Sequence, residues 1–344
     1  MTTPRALRLA PRKIRLRKAA LAFCIAAACL GLACGPRADE PLRRSVPSRP
    51  TDAGLLAAFL GDQGNGGNAR RVLQLVKEEG ADLLLLLGDF DYGDDPAAWN
   101  AMLDEVLGPD FPVFAVAGNH DVARWDAYQH LLEERLRRTA GARCDGEYGV
   151  NAACEYRGLF FVLSGAGTLG SGHAHFIEES LAGSDAIWRV CAWHKNRSAM
   201  QVGGKPDEVS WDVYESCRRG GAIVATAHEH SYERTRTLAD LRDRRIDPAW
   251  PEVGRLRVGG GSTFVFVSGL GGRSIRGQGR CHPSRPPYGC GFEWASIYTA
   301  TQGATFGALF IEFGVGGDPR AARGYFRNVR GETIDSFTVR AEPP

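Results

Sequence analysis

Five short runs of apolar residues, each followed by glycine or histidine, constrain the fold of this chain most strongly. They are residues 55–60, 83–87, 113–117, 187–193 and 223–227. Each run is too short for a buried helix, and its length is typical of a buried strand. Segments with helical spacing of apolar residues follow the first three runs, at 68–79, 97–107 and 125–138. This alternation predicts an α/β fold in which the sheet is covered on both faces.

The pattern changes just after Tyr232. A polar insertion (235–254), an apolar run (263–267) and a glycine-rich loop (269–279) come first. Three further apolar runs, at 308–313, 324–329 and 334–339, are separated by Gly316-Gly317 and by Gly331. Short apolar runs with glycine turns between them predict antiparallel strands at the C-terminal end.

The pattern of the first 34 residues predicts a signal peptide. An apolar stretch (19–33) follows seven basic residues, which are Arg5, Arg8, Arg12, Lys13, Arg15, Arg17 and Lys18. This order is typical of a secretory signal, and the stretch is short for a membrane span. Cys34 resembles the cysteine of a bacterial lipobox, although Leu32 lies one position later than that pattern requires. Lipid anchoring and simple cleavage are both left open.

The domain organisation and the location follow from this leader. Residues 35–52 are rich in Pro, Arg and Ser, which predicts a linker, and residues 53–344 then form one folded domain. Removing residues 1–33 changes the formal net charge from +2 to −5, because seven positive charges leave. The positive net charge of the full chain therefore comes from the leader. It gives no reason to expect nucleic-acid binding beyond a nucleotide substrate. We expect an exported protein, in the periplasm or on the cell surface.

Six of the nine cysteines remain once the three at positions 24, 29 and 34 are set aside. An even number in an exported protein favours disulfides. The sequence does not fix their pairing. Cys144 with Cys154 and Cys281 with Cys290 would each close a short polar loop, which leaves Cys191 for Cys217.

Polar residues directly after the predicted strands indicate a metal site. They are Asp62, Asp89, Tyr92, Asn119, His194, His228 and His230. A single aspartate in a turn, or a single histidine at a strand end, is more often a local structural residue. The carboxyl ends of strands in such sheets are where ligands bind, so we expect these side chains to meet at one edge.

His228 and His230 are the strongest single signal. Two residues at i and i+2 of an extended segment point to the same side, and imidazole suits Zn and Fe as well as Cu and Ni. Together with the carboxylates and the amide they predict two cations. A pair of cations deprotonates a bound water near neutral pH and holds phosphoryl oxygens, which predicts hydrolysis of phosphate esters by a metal-bound hydroxide.

These motifs, in this order, resemble those of the calcineurin-like metallophosphoesterases, and among them the purple acid phosphatases. The family pattern reads Gly-Asp-x-Gly, Gly-Asp-x-x-Tyr, Gly-Asn-His-Asp/Glu, a strand ending in His, and Gly-His-x-His. The resemblance implies a β-sandwich of mixed sheets flanked by helices, in four α/β/β/α layers. It implies one metal held by Asp62, Tyr92 and His230, a second held by Asn119, His194 and His228, and Asp89 bridging both.

The resemblance also implies two further roles. His120 contacts the phosphate and protonates the leaving oxygen, and we expect Asp121 to orient His120. Tyr92 indicates which metal is bound, because a phenolate is a hard anionic ligand that favours a trivalent ion. The implied pair is Fe(III) with Zn, Fe or Mn(II). The alternative is that Tyr92 only packs and the site holds two divalent ions.

Three features depart from the family pattern. Ala227 stands where glycine is usual, a change of one methyl that we expect to be tolerated. His194 is followed by Lys195, where some relatives have two histidines. An N-terminal β-sandwich domain like that of the large plant enzymes is not evident.

The most direct expectation is a phosphomonoesterase acting on a small phosphorylated substrate. A phosphodiesterase or nucleotidase with the same site is an alternative, and a non-catalytic metal-binding surface lipoprotein is an alternative of another class. We expect membrane contact only through the lipid anchor, and the sequence does not indicate an oligomeric state. Trp188 and Trp193 are expected in the core. Surface loop positions are expected for His173, His175, Arg273, Arg276 and Arg280.

Overall fold

The computed structural model describes residues 54–343. The predicted signal peptide, lipobox cysteine and linker lie outside the described residues. Among the described residues, the structure contains no helix that is both long and apolar enough to span a membrane.

Helices and strands alternate along the first half of the described chain, as the sequence predicts. The helices are α1 (Gly67–Glu78), α2 (Pro96–Val106), α3 (Trp125–Arg138), α4 (His173–Ala182) and α5 (Trp211–Arg219). The strands are β1 (Leu55–Leu60), β2 (Leu83–Leu86), β3 (Val113–Ala115), β4 (Arg143–Glu147), β5 (Asn151–Tyr156), β6 (Leu159–Ser164), β7 (Trp188–Ala192), β8 (Ile223–Thr226), β9 (Tyr232–Thr235), β10 (Leu238–Asp240), β11 (Arg245–Ile246), β12 (Arg255–Val258), β13 (Val265–Ser268), β14 (Trp294–Tyr298), β15 (Gly307–Phe313), β16 (Ala321–Asn328) and β17 (Thr333–Ala341).

The strands form two large mixed sheets and one small hairpin. The first sheet has the order β12-β17-β16-β15-β1-β2-β3, in which β1, β2 and β3 are parallel and β1 is antiparallel to β15. The second has the order β14-β9-β13-β8-β7-β6-β5-β4, with β6, β7, β8 and β13 parallel. The C-terminal strands β15, β16 and β17 are antiparallel, as predicted.

The two sheets pack face to face. Phe59 of β1 lies against Phe266 of β13 with ring centroids 5.3 Å apart, and Phe114 of β3 lies against Phe161 of β6 at 4.7 Å. Helices α1, α2 and α3 bury apolar side chains in the core of the first sheet, while α4 and α5 cover the second sheet. The four layers confirm the predicted α/β/β/α architecture.

Local sequence explains why two of these elements begin and end where they do. All four leucines of β2 are buried, because β2 pairs with β1 on one side and β3 on the other. Leucine favours helices intrinsically, so sheet pairing and burial decide the conformation here. Helix α2 begins at Pro96, and the Asp95 carboxylate accepts a hydrogen bond from the Ala98 N–H at 3.0 Å.

Some predicted details are corrected by the structure. His173 and His175 lie in the first turn of α4, after Gly172 in a left-handed conformation, and not in a loop. Trp188 and Trp193 are buried, as expected. The three expected disulfides are present, and Cys144–Cys154 joins directly opposed residues of β4 and β5.

Candidate metal centre

The predicted site residues all follow strands whose carboxyl ends meet at one end of the two sheets. Asp62, Asp89 and Asn119 follow β1, β2 and β3 of the first sheet. His194 and His228 follow β7 and β8 of the second sheet. Hydrogen bonds join these segments directly: the Asp62 N–H donates to the Gly88 carbonyl at 3.1 Å, and the Ala227 N–H donates to the His194 carbonyl at 3.1 Å.

The backbone of four predicted ligands lies in the left-handed region. The φ angles are +56° at Asp62, +57° at Asp89, +59° at Tyr92 and +66° at His228. A residue with a Cβ pays roughly 1–3 kcal/mol for a sparsely populated backbone conformation, and such residues cluster at functional sites. The turns therefore hold these side chains in orientations that ordinary strand ends do not provide.

Close backbone contacts leave little room around these turns. A methyl group at Gly118 would lie 2.1 Å from the Asp89 backbone nitrogen. Ala227 is fully buried, and a Cβ at Gly61 would lie 2.5 Å from its methyl carbon. The structure accommodates the extra methyl of Ala227 because the facing residue is glycine.

One group of donor atoms consists of Asp62, Tyr92 and His230. The Tyr92 hydroxyl lies 3.0 Å from Asp62 Oδ1 and 3.3 Å from His230 Nε2. His230 Nε2 lies 3.2 Å from the same Asp62 oxygen. We call this triangle the first cluster.

A second group, which we call the second cluster, consists of Asp89, Asn119, His194 and His228. His228 Nδ1 lies 3.0 Å from His194 Nε2, which lies 3.3 Å from Asp89 Oδ2. The ligand atoms of these three residues all lie within 4.8 Å of one another. Asn119 Oδ1 is buried and has no hydrogen-bond partner among the described residues.

Both clusters fit a cation. Nitrogen and oxygen donors about 2.1 Å from one ion lie roughly 3.0–3.4 Å from one another, which is the spacing seen in each cluster. A buried amide oxygen without a donor is costly, and a cation would satisfy it. The donor set of carboxylates, imidazoles, an amide and a phenol suits Zn, Fe or Mn.

The outer nitrogen of each histidine also has a partner. His194 Nδ1 lies 2.7 Å from the Leu87 carbonyl, and His230 Nδ1 lies 2.5 Å from the Ser274 hydroxyl. His228 Nε2 lies 2.8 Å from Glu208 Oε2, a short contact whose angle is not that of an aligned hydrogen bond. Partners of this kind fix the ring orientation of metal-ligating histidines.

Sequence reasoning missed Glu208 and Ser274. Glu208 lies in the loop before α5, outside the five motifs, and its other carboxylate oxygen pairs with Lys195 Nζ at 2.6 Å. Lys195, the residue that departs from the two-histidine form of some relatives, therefore holds Glu208 against His228. No local pattern marks a carboxylate twenty residues before a histidine as its partner.

The Asp121 carboxylate binds the backbone of the turns on which Asp89 and His120 lie. Its buried carboxylate accepts hydrogen bonds from the backbone N–H groups of Asp89, Phe90 and Gly118, at 2.8, 2.8 and 2.7 Å. Burial and then the charge of Asp89 raise the pKa of Asp121 to about 7, while the N–H donors act in the opposite direction. Asp121 is a positioning residue that joins the turns after β2 and β3.

His120 faces a cavity of about 240 Å³ above both clusters. Its backbone N–H donates to Asp89 Oδ1 at 2.8 Å, and its ring centroid lies 4.4 Å from that of Tyr92. The cavity is lined by Asp89, Tyr92, Asn119, His120, Lys205, His228, His230, Arg273, Ser274 and Arg276. Arg273 and Arg276, expected on a solvated loop, thus line the site, whereas His173, His175 and Arg280 do not.

The charges of the second cluster shift its pKa values. Burial lowers the pKa of His194, but the Asp89 carboxylate outweighs burial and raises that pKa to about 9. Burial, and then the His194 charge, lower the pKa of His228. Burial also raises the pKa of Asp89, but His194 outweighs it and holds that pKa below its usual range. Without metal, His194 therefore carries the proton and His228 is neutral.

We predict that metal binding releases a proton from His194. A metal needs the neutral imidazole, and the competing proton leaves only as the pH rises toward about 9. The apparent affinity for Zn²⁺ should therefore rise from pH 6 to pH 9, by about tenfold per pH unit for one released proton. Competition titrations with a chelator measure this slope. An affinity independent of pH over this range would contradict the assignment of His194.

We also predict that Glu208→Ala weakens metal binding. Loss of an outer-shell partner typically costs about 10- to 100-fold in metal affinity. Glu208→Gln, which keeps an oxygen at the same position, should lose less. Asp207→Ala, at the neighbouring exposed carboxylate that pairs with Arg197, is the control. Equal affinities of Glu208→Ala and Asp207→Ala for Zn²⁺ would exclude a role for Glu208.

The family described as calcineurin-like phosphoesterase matches residues 56–232, just over half of the chain. No curated protein matches the sequence.

Solved structures with the same fold include a purple acid phosphatase from yellow lupin (Lupinus luteus) seeds, with 17% identity and a TM-score of 0.59. The match covers 85% of this chain and 55% of the lupin chain, so this chain spans about half the length of that relative. GAP50, the anchor in the inner membrane complex of Plasmodium, has 13% identity and a TM-score of 0.56, with 84% and 89% covered. PhoD has 12% identity and a TM-score of 0.51, with 84% and 70% covered.

These identities are low, so the solved structures establish the fold alone. The family match covers the segment that contains every predicted ligand from Asp62 to His230. The protein therefore belongs to the calcineurin-like phosphoesterase family, a family of metal-dependent phosphoesterases.

Proposed function

We propose that this protein hydrolyses phosphate esters, most directly phosphomonoesters, with two metal ions. The observation that carries the proposal is the meeting of two donor clusters and His120 at one cavity. Asp62, Tyr92 and His230 would hold one ion. Asn119, His194 and His228 would hold the other.

Asp89 is suited to bridge the two ions. Its Oδ2 lies 3.3 Å from His194 in the second cluster, and its charge contributes to raising the pKa of Tyr92 in the first. A carboxylate between two cations reduces their mutual repulsion. Its Oδ1 accepts the His120 N–H, so the bridging residue also fixes the backbone of His120.

Two bound cations supply charge that lowers the pKa of a water molecule and offsets the charge of the phosphoryl oxygens. The protein's own residues supply the rest of the chemistry. His120 faces the cavity, where its imidazole donates a proton to the departing alcohol oxygen. Asp121 keeps the turns that carry Asp89 and His120 in register through its three backbone hydrogen bonds.

The substrate class follows from the cavity. Lys205, Arg273 and Arg276 line it, which favours an anionic phosphate ester. A phosphodiesterase or nucleotidase activity of the same site is the second candidate. His120 facing the cavity counts against a purely structural metal site in a surface lipoprotein.

Tyr92 supports Fe(III) in the first cluster, beside Zn, Fe or Mn(II) in the second. Burial, followed by the charges of Asp62 and Asp89, raises the pKa of Tyr92 far above its usual range. A phenol in this position gives up its proton only to a strongly polarising cation, which is a property of ferric iron.

We further propose that the protein acts outside the cytoplasm. Three disulfides in the described part of the chain support an oxidising compartment. Fractionation of the source cells should place the mature protein in the periplasmic or membrane fraction. Its recovery from the cytosol would contradict this proposal.

We predict that the metal-loaded protein releases phosphate from an aryl phosphate faster than it cleaves a bis-aryl phosphate. His120→Ala should lower kcat for the monoester by about 10²- to 10⁴-fold, the usual contribution of general acid catalysis. Asn119→Ala should lose metal as well as activity. His175→Ala is the control, since this exposed histidine lies outside the cavity. Hydrolysis of neither ester would contradict the proposed function.

We predict that iron-loaded protein shows a visible tyrosinate-to-iron absorption band. Tyr92→Phe should abolish the band, because the phenolate is its source, while His120→Ala should retain it. Absorption spectra recorded alongside metal analysis measure this directly. A band that survives Tyr92→Phe, or no band at full ferric loading, would exclude Tyr92 as an iron ligand.

A further inference from the structure

The wall of the cavity above the two clusters carries three cationic side chains. Lys205, Arg273 and Arg276 line it together with His120 and Ser274. Of these three cations, the described part of the chain provides a carboxylate within ion-pair distance only for Arg276. Glu229, which is buried, lies 3.7 Å from the Arg276 guanidinium. Positive charge therefore remains in excess on this wall.

The two arginines are held in place by the loops that carry the proposed ligands. The Arg273 N–H donates to the Asp62 carbonyl at 3.0 Å, and the Arg276 N–H donates to the His230 carbonyl at 2.9 Å. Between them, the Ser274 hydroxyl contacts His230 Nδ1. These contacts tie the backbone of the loop to both segments of the first cluster, so that its two arginines lie beside the proposed metal ligands.

Arg273 and His120 both contact the Tyr92 ring. The Arg273 guanidinium carbon is 4.7 Å from the centroid of that ring, and the His120 ring centroid is 4.4 Å from it. Stacking on an aromatic face orients a guanidinium without using its N–H donors. Those donors remain available to a ligand in the cavity, which His120 also lines and where the alcohol portion of an ester leaves.

The scissile phosphate does not need these three cations, because the two metal ions would offset its charge. An excess of positive charge beside the leaving alcohol instead matches a second anion. We propose that the substrate is a phosphate ester whose alcohol portion carries a further anionic group, a carboxylate or a second phosphate, bound by Lys205, Arg273 and Arg276. This inference rests on the proposed function, because it assigns a substrate class to the same site.

The test compares two aryl phosphates that differ only in charge. One is 4-(carboxymethyl)phenyl phosphate, and the other is its uncharged amide, 4-(carbamoylmethyl)phenyl phosphate. The methylene group keeps the two leaving phenols similar in acidity. With metal-loaded protein, phosphate release should give a kcat/KM about tenfold higher for the carboxylate, as expected for charge-assisted hydrogen bonds. A third compound carries a second phosphate group in place of the carboxylate. Comparing its kcat/KM with that of the carboxylate shows which of the two anions the site prefers.

Lys205→Met and Arg273→Met should each reduce the preference for the carboxylate to about threefold or less, with a smaller effect on the amide. Arg280→Met is the matched control, because Arg280 lies on the same loop but its guanidinium contacts the Gln201 carbonyl outside the cavity. It should leave the preference unchanged. Raising the ionic strength should weaken the preference of the wild type.

The outcomes separate this inference from the function on which it rests. If neither phosphate is hydrolysed, the proposed function fails. If the carboxylate, the bisphosphate and the amide are hydrolysed with equal kcat/KM, the function stands and the second-anion inference is overturned. The inference is also overturned if Arg280→Met changes the preference as much as Lys205→Met and Arg273→Met do.

Discussion

The Asp62 carboxylate joins the two halves of the site. It follows β1 of the first sheet, and its Oδ2 accepts a hydrogen bond of 2.8 Å from the backbone N–H of His228, which follows β8 of the second sheet. Its Oδ1 contacts Tyr92 at 3.0 Å and His230 at 3.2 Å. One buried side chain therefore links the two sheets at the site and gathers the first cluster. The left-handed turn at Asp62 makes both contacts available at once.

The burial of charged and polar groups explains the arrangement of the second cluster. Asp89, His194 and His228 are all buried, and carboxylates and imidazoles removed from water are costly unless they are paired or bind cations. The outer nitrogens of His194 and His230 have hydrogen-bond partners, and that of His228 lies 2.8 Å from a Glu208 carboxylate oxygen. The inner nitrogens converge with the carboxylate oxygens, and outer contacts of this kind are typical of a metal centre.

Much of the fold and most of the site could be predicted from the sequence. Buried strands such as β1 and β2 are continuous apolar runs, and the ligands follow them in short motifs. Strand β4 escapes prediction because it is a polar, largely exposed edge strand, and the glycines before α4 predict a loop there. Glu208 and the two arginines of the cavity show no predictive pattern because their partners are distant in sequence. The contacts of Asp121 are not predictable either, because its partners are backbone N–H groups, which no residue pattern displays.

The central claim is that two ions occupy the two clusters. Anomalous diffraction from crystals of metal-loaded protein tests it most directly. The account predicts two peaks, one bound by Asp62, Tyr92 and His230 and the other by Asn119, His194 and His228, with Asp89 contacting both. A single peak, or peaks that lie away from these residues, would contradict it.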